Sequence, residues 1–272
     1  MLNSYAYNRK MPEEDQTILA AVQKHHKLVT NKGHLVVMTS LVGSQNYDLD
    51  DKNSDIDTFS FVFPSLKDLA MAKEPYTGMF ETEDGHCEIK DIRLACNLLR
   101  KASPNSVEYF TSKYKVYNPI FADILQDYLD NNNKLWHMIH CNYEHMITSI
   151  AGMGYQMTKR NMSAGRRFSH LLRLDDMWYH FTHSFNAQAV IEMRPGGNRD
   201  LAILAKRDKD STHDIDYQIQ CETISNKLDT IKDNFKINPE YEKIQRTGLV
   251  LIDSFQLKLF KQYLTETNKD GK

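Results

Sequence analysis

Two aspartates one residue apart, Asp55 and Asp57, stand near the end of "VGSQNYDLDDKNSDIDTFSFVF", residues 42–63. In an extended segment residues i and i+2 project from the same face, so both carboxylates would point together with Ile56 buried between them. Carboxylates that close repel unless a proton or a cation lies between them. Hard oxygen donors of this kind fill one or two positions around an octahedral Mg²⁺, and water and phosphate oxygens complete it. An isolated D-x-D is common in solvated turns, and a lone Gly43 is ordinary in any turn. The context sets this pair apart. A compact apolar run, "HLVVMTS", leads to Gly43-Ser44, and the acids follow after a polar spacer. Glycine lets the backbone approach a phosphate closely, and serine adds a hydroxyl beside exposed N–H groups. Strand, Gly-Ser, spacer, D-x-D and strand together make a phosphate cradle facing a metal site.

The elements that must position these residues are legible in outline. "PEEDQTILAAVQKHHKLV" begins with proline and acids and carries Ile18, Leu19, Val22 and Leu28 at helical spacing. Strands are expected at "HLVVMTS", at Ile56 to Phe63 before Pro64, and at "HCEIKD". "DIRLACNLLRKA" reads as a helix with Asp91 as its cap. Past residue 119 the pattern becomes helix upon helix, over 119–130, 134–158, 164–186, 213–235 and 240–266. The breaks fall at "NNN", "MSAG", "RPGGN" and "INPE". An α/β half is thus followed by an all-α half, with the boundary near residue 117.

The chain has 272 residues, enough for a sizeable core in one large domain or two small ones. With a formal charge of −2, no global field draws it to nucleic acid or to a membrane, so anion binding must come from a local patch. Its four cysteines, Cys87, Cys96, Cys141 and Cys221, lack metal-ligand spacing and read as reduced thiols of a cytoplasmic protein. The opening residues lack an apolar signal core, and no run reaches the length of a membrane span, so no membrane partner is expected.

"GSQNYDLDDKNSDIDTFSFVFP" resembles the G-S-x-x-Y-G-x-x-x-x-x-S-D-x-D block of the DNA polymerase beta-like nucleotidyltransferase superfamily, and most of all its bacterial and phage branch of predicted nucleotidyltransferases. "EIKDIRLACNLLRKASPNSVEYF", "FSHLLRL" and "RDLAILAKRDK" are looser matches, so the resemblance runs from about residue 35 to 210. One departure is Asp48, where the family has glycine; aspartate tolerates left-handed backbone better than most residues. The resemblance implies an α+β chain. A minimal nucleotidyltransferase core, a small mixed sheet flanked by helices, would occupy residues 1–117 and an all-α helical domain residues 118–272. It also implies three carboxylates serving Mg²⁺ or Mn²⁺, with Asp55 and Asp57 as the first two. For the third, Glu88 and Asp91 compete. Glu88 shares a strand face with His86 and Lys90, whereas Asp91 sits where a helix needs its cap, so Glu88 is expected. The implied reaction is in-line attack by an acceptor hydroxyl on the α-phosphate of a nucleoside triphosphate such as ATP. The acceptor would be a nucleic-acid end such as RNA or tRNA, a protein side chain or a small molecule.

"TKRNMSAGRRFSHLLRL" gathers Lys159, Arg160, Arg166, Arg167 and Arg173 in a slightly acidic chain. On a helix Arg166, His170 and Arg173 form one cationic stripe, either a solvated face or a clamp on a triphosphate or nucleic-acid backbone. The family places an arginine-bearing helix across the cleft from the acids, which assigns Arg173, with His170, to the nucleotide beside Gly43 and Ser44. "RLDDMWYH", Arg173 to His180, also resembles the R-x(4–6)-H signature of HEPN ribonucleases, an alternative reading as a toxin–antitoxin component. A catalytically silent nucleotide-binding module is the remaining alternative. His137, His140 and His145 read as packing residues, because no matching carboxylate set accompanies them.

Overall fold

The computed structural model describes residues 13–50 and 54–270. The opening stretch read for a signal segment, and residues 51–53 of the motif spacer, lie outside them. Helix α1, Glu13–Asn31, is followed by β1, Leu35–Val42, and a 3₁₀ turn at Ser44–Tyr47. Strand β2, Asp57–Phe63, stops at Pro64, and a short α2, Leu66–Ala70, follows with Ser65 capping it. Strands β3, Thr77–Glu81, and β4, His86–Asp91, lead into α3, Ile92–Lys101. Then come α4, Pro104–Thr111, and a short β5, Lys115–Tyr117.

The five strands form one sheet in the order β3-β4-β2-β1-β5. Its β2–β4 pair is parallel and its other pairs are antiparallel, so the sheet is mixed. Strands β1 and β2 are buried along nearly their whole length, because both faces of the sheet are covered. On one face α1 packs Ile18, Val22 and Val29 against Val36, Leu41, Val62, Cys87 and Ile89. On the other, Met38, Phe59, Phe61 and Phe63 meet α3, α4 and the helices that follow. Phe59 stacks on Tyr109 at 3.8 Å and Phe61 on Phe110 at 5.2 Å. Each such ring contributes about 1.5–3 kcal/mol by leaving water.

The rest of the chain is helical: α5, Ala122–Leu125; α6, Asn132–Ile139; α7, Tyr143–Lys159; α8, Ala164–His183; α9, Asn198–Arg207; α10, Asp214–Asn234; and α11, Pro239–Asp270. The α+β class expected from the sequence is therefore the class observed. One large apolar cluster runs without a break from the sheet into these helices. Helix α11 returns to the sheet, where Tyr263 stacks on Phe63 at 4.4 Å and donates its hydroxyl to the Pro64 carbonyl at 2.8 Å.

The structure adds elements to the sequence reading and divides one. Strand β3 is an edge strand whose residues are all exposed or half-buried, and β5 is only three residues long, so neither carries an apolar signal. Helices α2, α4 and α9 are not among the expected ones. The single helix expected over 134–158 is two. Asn142 ends the run by accepting the His145 N–H at 3.0 Å, as an N-cap does, while its amide nitrogen reaches the Arg100 carbonyl. All four cysteines are free and buried. Among the described residues no helix is long and apolar enough to cross a membrane.

Candidate functional site

Asp57 is the first residue of β2 and Asp55 lies ahead of the strand, exposed. Asp57 Oδ1 accepts the His86 N–H at 3.0 Å, and His86 Nδ1 stands 3.4 Å from the same oxygen. That register is set by the β3–β4 hairpin, which turns at Gly85 directly over Ile56. Ile56 N–H donates to the Asp84 carbonyl at 2.7 Å, and a Cβ at Gly85 would fall 2.7 Å from the Ile56 carbonyl oxygen. Only glycine fits there. Glu88 on β4 pairs with Phe59 and so shares the sheet face on which Asp57 begins. Its Oε1 is bound to Lys90 at 2.7 Å, and Lys90 in turn lies over the Phe59 ring.

Asp91 points away from this face. It is fully buried, caps α3 through the Arg93 N–H at 2.9 Å, and holds the Arg93 guanidinium at 2.6 Å. Its capping role is the one read from the sequence.

Gly43 has φ 83° and ψ −160°, a conformation that side chains other than hydrogen rarely adopt. It lies against Asp57, whose Oδ2 would be 3.5 Å from an added Cβ. Its N–H does not stand open for a phosphate, as the cradle reading expects. It donates to Glu108 Oε1 at 2.7 Å. Glu108, on α4, is 5% exposed. Burial pushes its carboxyl pKa upward, against the Arg173 charge, the Tyr47 hydroxyl, the Gly43 N–H and the Asn46 amide, which favour the ionised form. Arg173 on α8 lies 4.4 Å over the Tyr47 ring. Asp48 adopts the left-handed conformation, φ 54° and ψ 34°, the backbone geometry that aspartate tolerates better than most residues.

The helical half grips the polar segment after this turn. Lys206 and Arg207, in the last turn of α9, donate to the carbonyls of Leu49 and Asp50 at 2.7 and 3.0 Å. Arg199 of α9 approaches the Asp48 carboxylate at 3.9 Å, and Lys113, just ahead of β5, meets it at 3.1 Å from the sheet half. Two buried nitrogens around the turn, Arg173 Nε and Arg199 Nε, have no hydrogen-bond partner among the described residues. Unpaired donors in low-polarity surroundings are costly, and an anionic ligand is the partner that suits them.

The expected cationic stripe is narrower than its residue types suggest. Arg166 is exposed. His170 is half-buried, and burial, reinforced by Arg173, Arg160, Lys206 and Arg166, lowers its pKa to about 4, so it is uncharged at neutral pH. Arg167 ties α8 to α10 through Gln218 at 2.8 Å. His180 lies two turns beyond Arg173, beside Asp176 and Arg194, whereas Arg173 turns to Tyr47. The buried Asp176 also organises "RPGGN", accepting from Arg194 Nε at 2.6 Å and Asn198 Nδ2 at 2.9 Å. Buried His140 sits between the Trp136 and Phe181 carbonyls, a packing role.

Among the described residues no three His, Cys, Asp or Glu side chains stand close enough together to hold a metal ion. Asp55, Asp57 and Glu88 are nonetheless hard oxygen donors at one end of the β2–β4 pair, and His86 and Lys90 each engage only one oxygen of the carboxylate they meet. That donor chemistry suits Mg²⁺ or Mn²⁺.

Glu108, Tyr47, Lys206 and Arg207 were not singled out from the sequence. The signal available for Glu108 was an acid inside the apolar run "VEYF" of a short helix. Comparison of the chain with known family models gives no match, and comparison with curated proteins gives none.

Proposed function

We propose that this protein is a metal-dependent nucleotidyltransferase that moves a nucleoside monophosphate from a nucleoside triphosphate to an acceptor hydroxyl. The observation that carries the reading is the packing of the Gly43 turn against Asp57, with Glu88 on the same sheet face and unpaired buried nitrogens around the turn. The family resemblance of the same residues supports it.

Asp55, Asp57 and Glu88 would hold Mg²⁺ or Mn²⁺, which supplies positive charge against the triphosphate and the charge that builds at phosphorus. The Ser44 hydroxyl donates to a phosphate oxygen at the head of the 3₁₀ turn. Arg173 supplies a fixed guanidinium charge from α8. His170, neutral, contributes a hydrogen bond rather than charge. Glu88 would also accept the proton of the acceptor hydroxyl as general base. ATP is one candidate substrate, and RNA, tRNA and protein hydroxyls are the acceptors to try.

The test is incubation with each α-labelled nucleoside triphosphate, with Mg²⁺ or Mn²⁺, and a panel of RNA, DNA and protein acceptors. Label should reach one acceptor class and disappear with Asp57→Asn. A folded protein that binds no nucleoside triphosphate in the presence of either ion would overturn the reading.

A further inference from the structure

Glu108 is an acid in a place where acids are rarely found. It is 5% exposed, on α4, between Val107 and Tyr109, whose side chains lie in the core. A buried carboxylate persists only where it is paired and hydrogen-bonded. Here the partners come from three separate parts of the chain: the Gly43 N–H on the motif turn at 2.7 Å, the Tyr47 and Asn46 side chains at the other end of that turn, and the Arg173 charge on α8. Asn46 is itself fixed by Ser112, whose hydroxyl donates to its Oδ1 at 2.9 Å.

The consequence is geometric. Gly43 is the residue whose Cβ position is 3.5 Å from Asp57 Oδ2, and its left-handed φ makes it the softest point of the motif. The hydrogen bond that this one N–H donates to Glu108 therefore sets the distance between the Gly-Ser turn and the acid at the head of β2. The Arg173 charge favours the ionised form of the same carboxylate.

We propose that Glu108 is a positioning residue: its carboxylate, accepting the Gly43 N–H, fixes the Gly43–Tyr47 turn against Asp57 in the geometry that receives the triphosphate. The proposal rests on the nucleotidyltransferase reading for the identity of that ligand. Glu108 itself touches neither nucleotide nor metal. It acts through the backbone of Gly43.

The experiment uses the full chain as wild type, Glu108→Met and Glu108→Gln. Methionine fills a similar volume without acceptor oxygens, so the fold should survive where alanine would leave a cavity. Glutamine keeps an acceptor for the Gly43 N–H. Two quantities are measured: amide hydrogen exchange resolved over the Gly43–Tyr47 turn and over β1, and affinity for a Mg²⁺–nucleoside triphosphate. In Glu108→Met, exchange at the turn should rise at least tenfold with β1 unchanged, and nucleotide affinity should fall by about tenfold. Glu108→Gln should restore both. Unaltered exchange at the turn in Glu108→Met, unaltered affinity despite faster exchange, or a Gln variant no better than Met would each overturn the proposal. A wild type that binds no nucleotide would overturn the nucleotidyltransferase reading instead, and the exchange arm would still report whether Glu108 holds the turn.

Discussion

The Arg173 guanidinium lies 4.4 Å from the centre of the Tyr47 ring, and its charge and the Tyr47 hydroxyl both favour the ionised form of the buried Glu108 carboxylate. One residue of the helical half thus closes over the turn that follows β1. Burial holds the Tyr47 phenol far above its usual pKa, against the pull of Arg173, so Tyr47 stays a hydrogen-bond donor throughout the physiological range. The pair joins a cation, an aromatic face and a buried anion.

Removing the cation should therefore be felt at the nucleotide. Arg173→Ala is expected to weaken triphosphate binding by about tenfold, or ~1.4 kcal/mol. The loss should be similar for all four bases, because phosphate contacts carry no base information. Titration of the variant with each nucleoside triphosphate checks this. Unchanged triphosphate affinity with weakened, less salt-dependent acceptor binding would move Arg173 to the acceptor.

Asp55→Asn and Asp57→Asn should each abolish label transfer while leaving the protein folded. Asparagine keeps an oxygen for the His86 N–H that Asp57 accepts. Thermal melts should stay close to wild type, since acids gathered at a functional site add little to stability. Collapse of the fold in both variants would make these acids structural.

Glu88 and Asp91 should separate cleanly. Glu88→Gln loses only a half-exposed ion pair with Lys90, so transfer should vanish with little change in stability. Asp91→Ala strips the α3 cap and leaves the Arg93 guanidinium without its buried partner, a loss of about 3 kcal/mol. Denaturant unfolding combined with the transfer assay distinguishes the two. A Glu88→Gln variant that still transfers would remove Glu88 from the chemistry.

Three rings, His26, His140 and His170, are each pushed down to about 4, chiefly by burial. In the unfolded chain they take up protons near their ordinary value of about 6.5. Between those values the unfolded state binds more protons than the folded one, so stability is greatest above about 6.5 and falls as pH drops toward 4. Urea midpoints measured from about pH 7 to about pH 4.5 should decline. A flat profile would mean that these rings are not held neutral.

Much of this arrangement was legible in the chain. Strands β1, β2 and β4 announced themselves through alternating or continuous apolar residues, and Asp91 through its place just before Ile92. The tolerance of Asp48 for left-handed backbone followed from its side chain. Other parts were not written locally. Strand β3 is half-exposed throughout and exists because β4 pairs with it. The apolar period continued past Asn142, where only the cap and a bond to α3 reveal the break. The bond from the Gly43 N–H to Glu108 was not legible, because Glu108 lies on a helix without a strong pattern of its own. His170 looked cationic because residue type does not report burial.

Tyr263 closes over Phe63 and Pro64 from a distance of 199 residues in the chain. On the ribosome, β2 emerges long before α11 exists. The aromatic surface at its end must therefore wait, uncovered or shielded by a chaperone, while nearly the whole helical half is synthesised. At about 5–20 residues per second that delay is on the order of ten seconds or more. Nascent chains stalled before α11 should accordingly expose Phe63 to proteases and holdases that the finished chain resists.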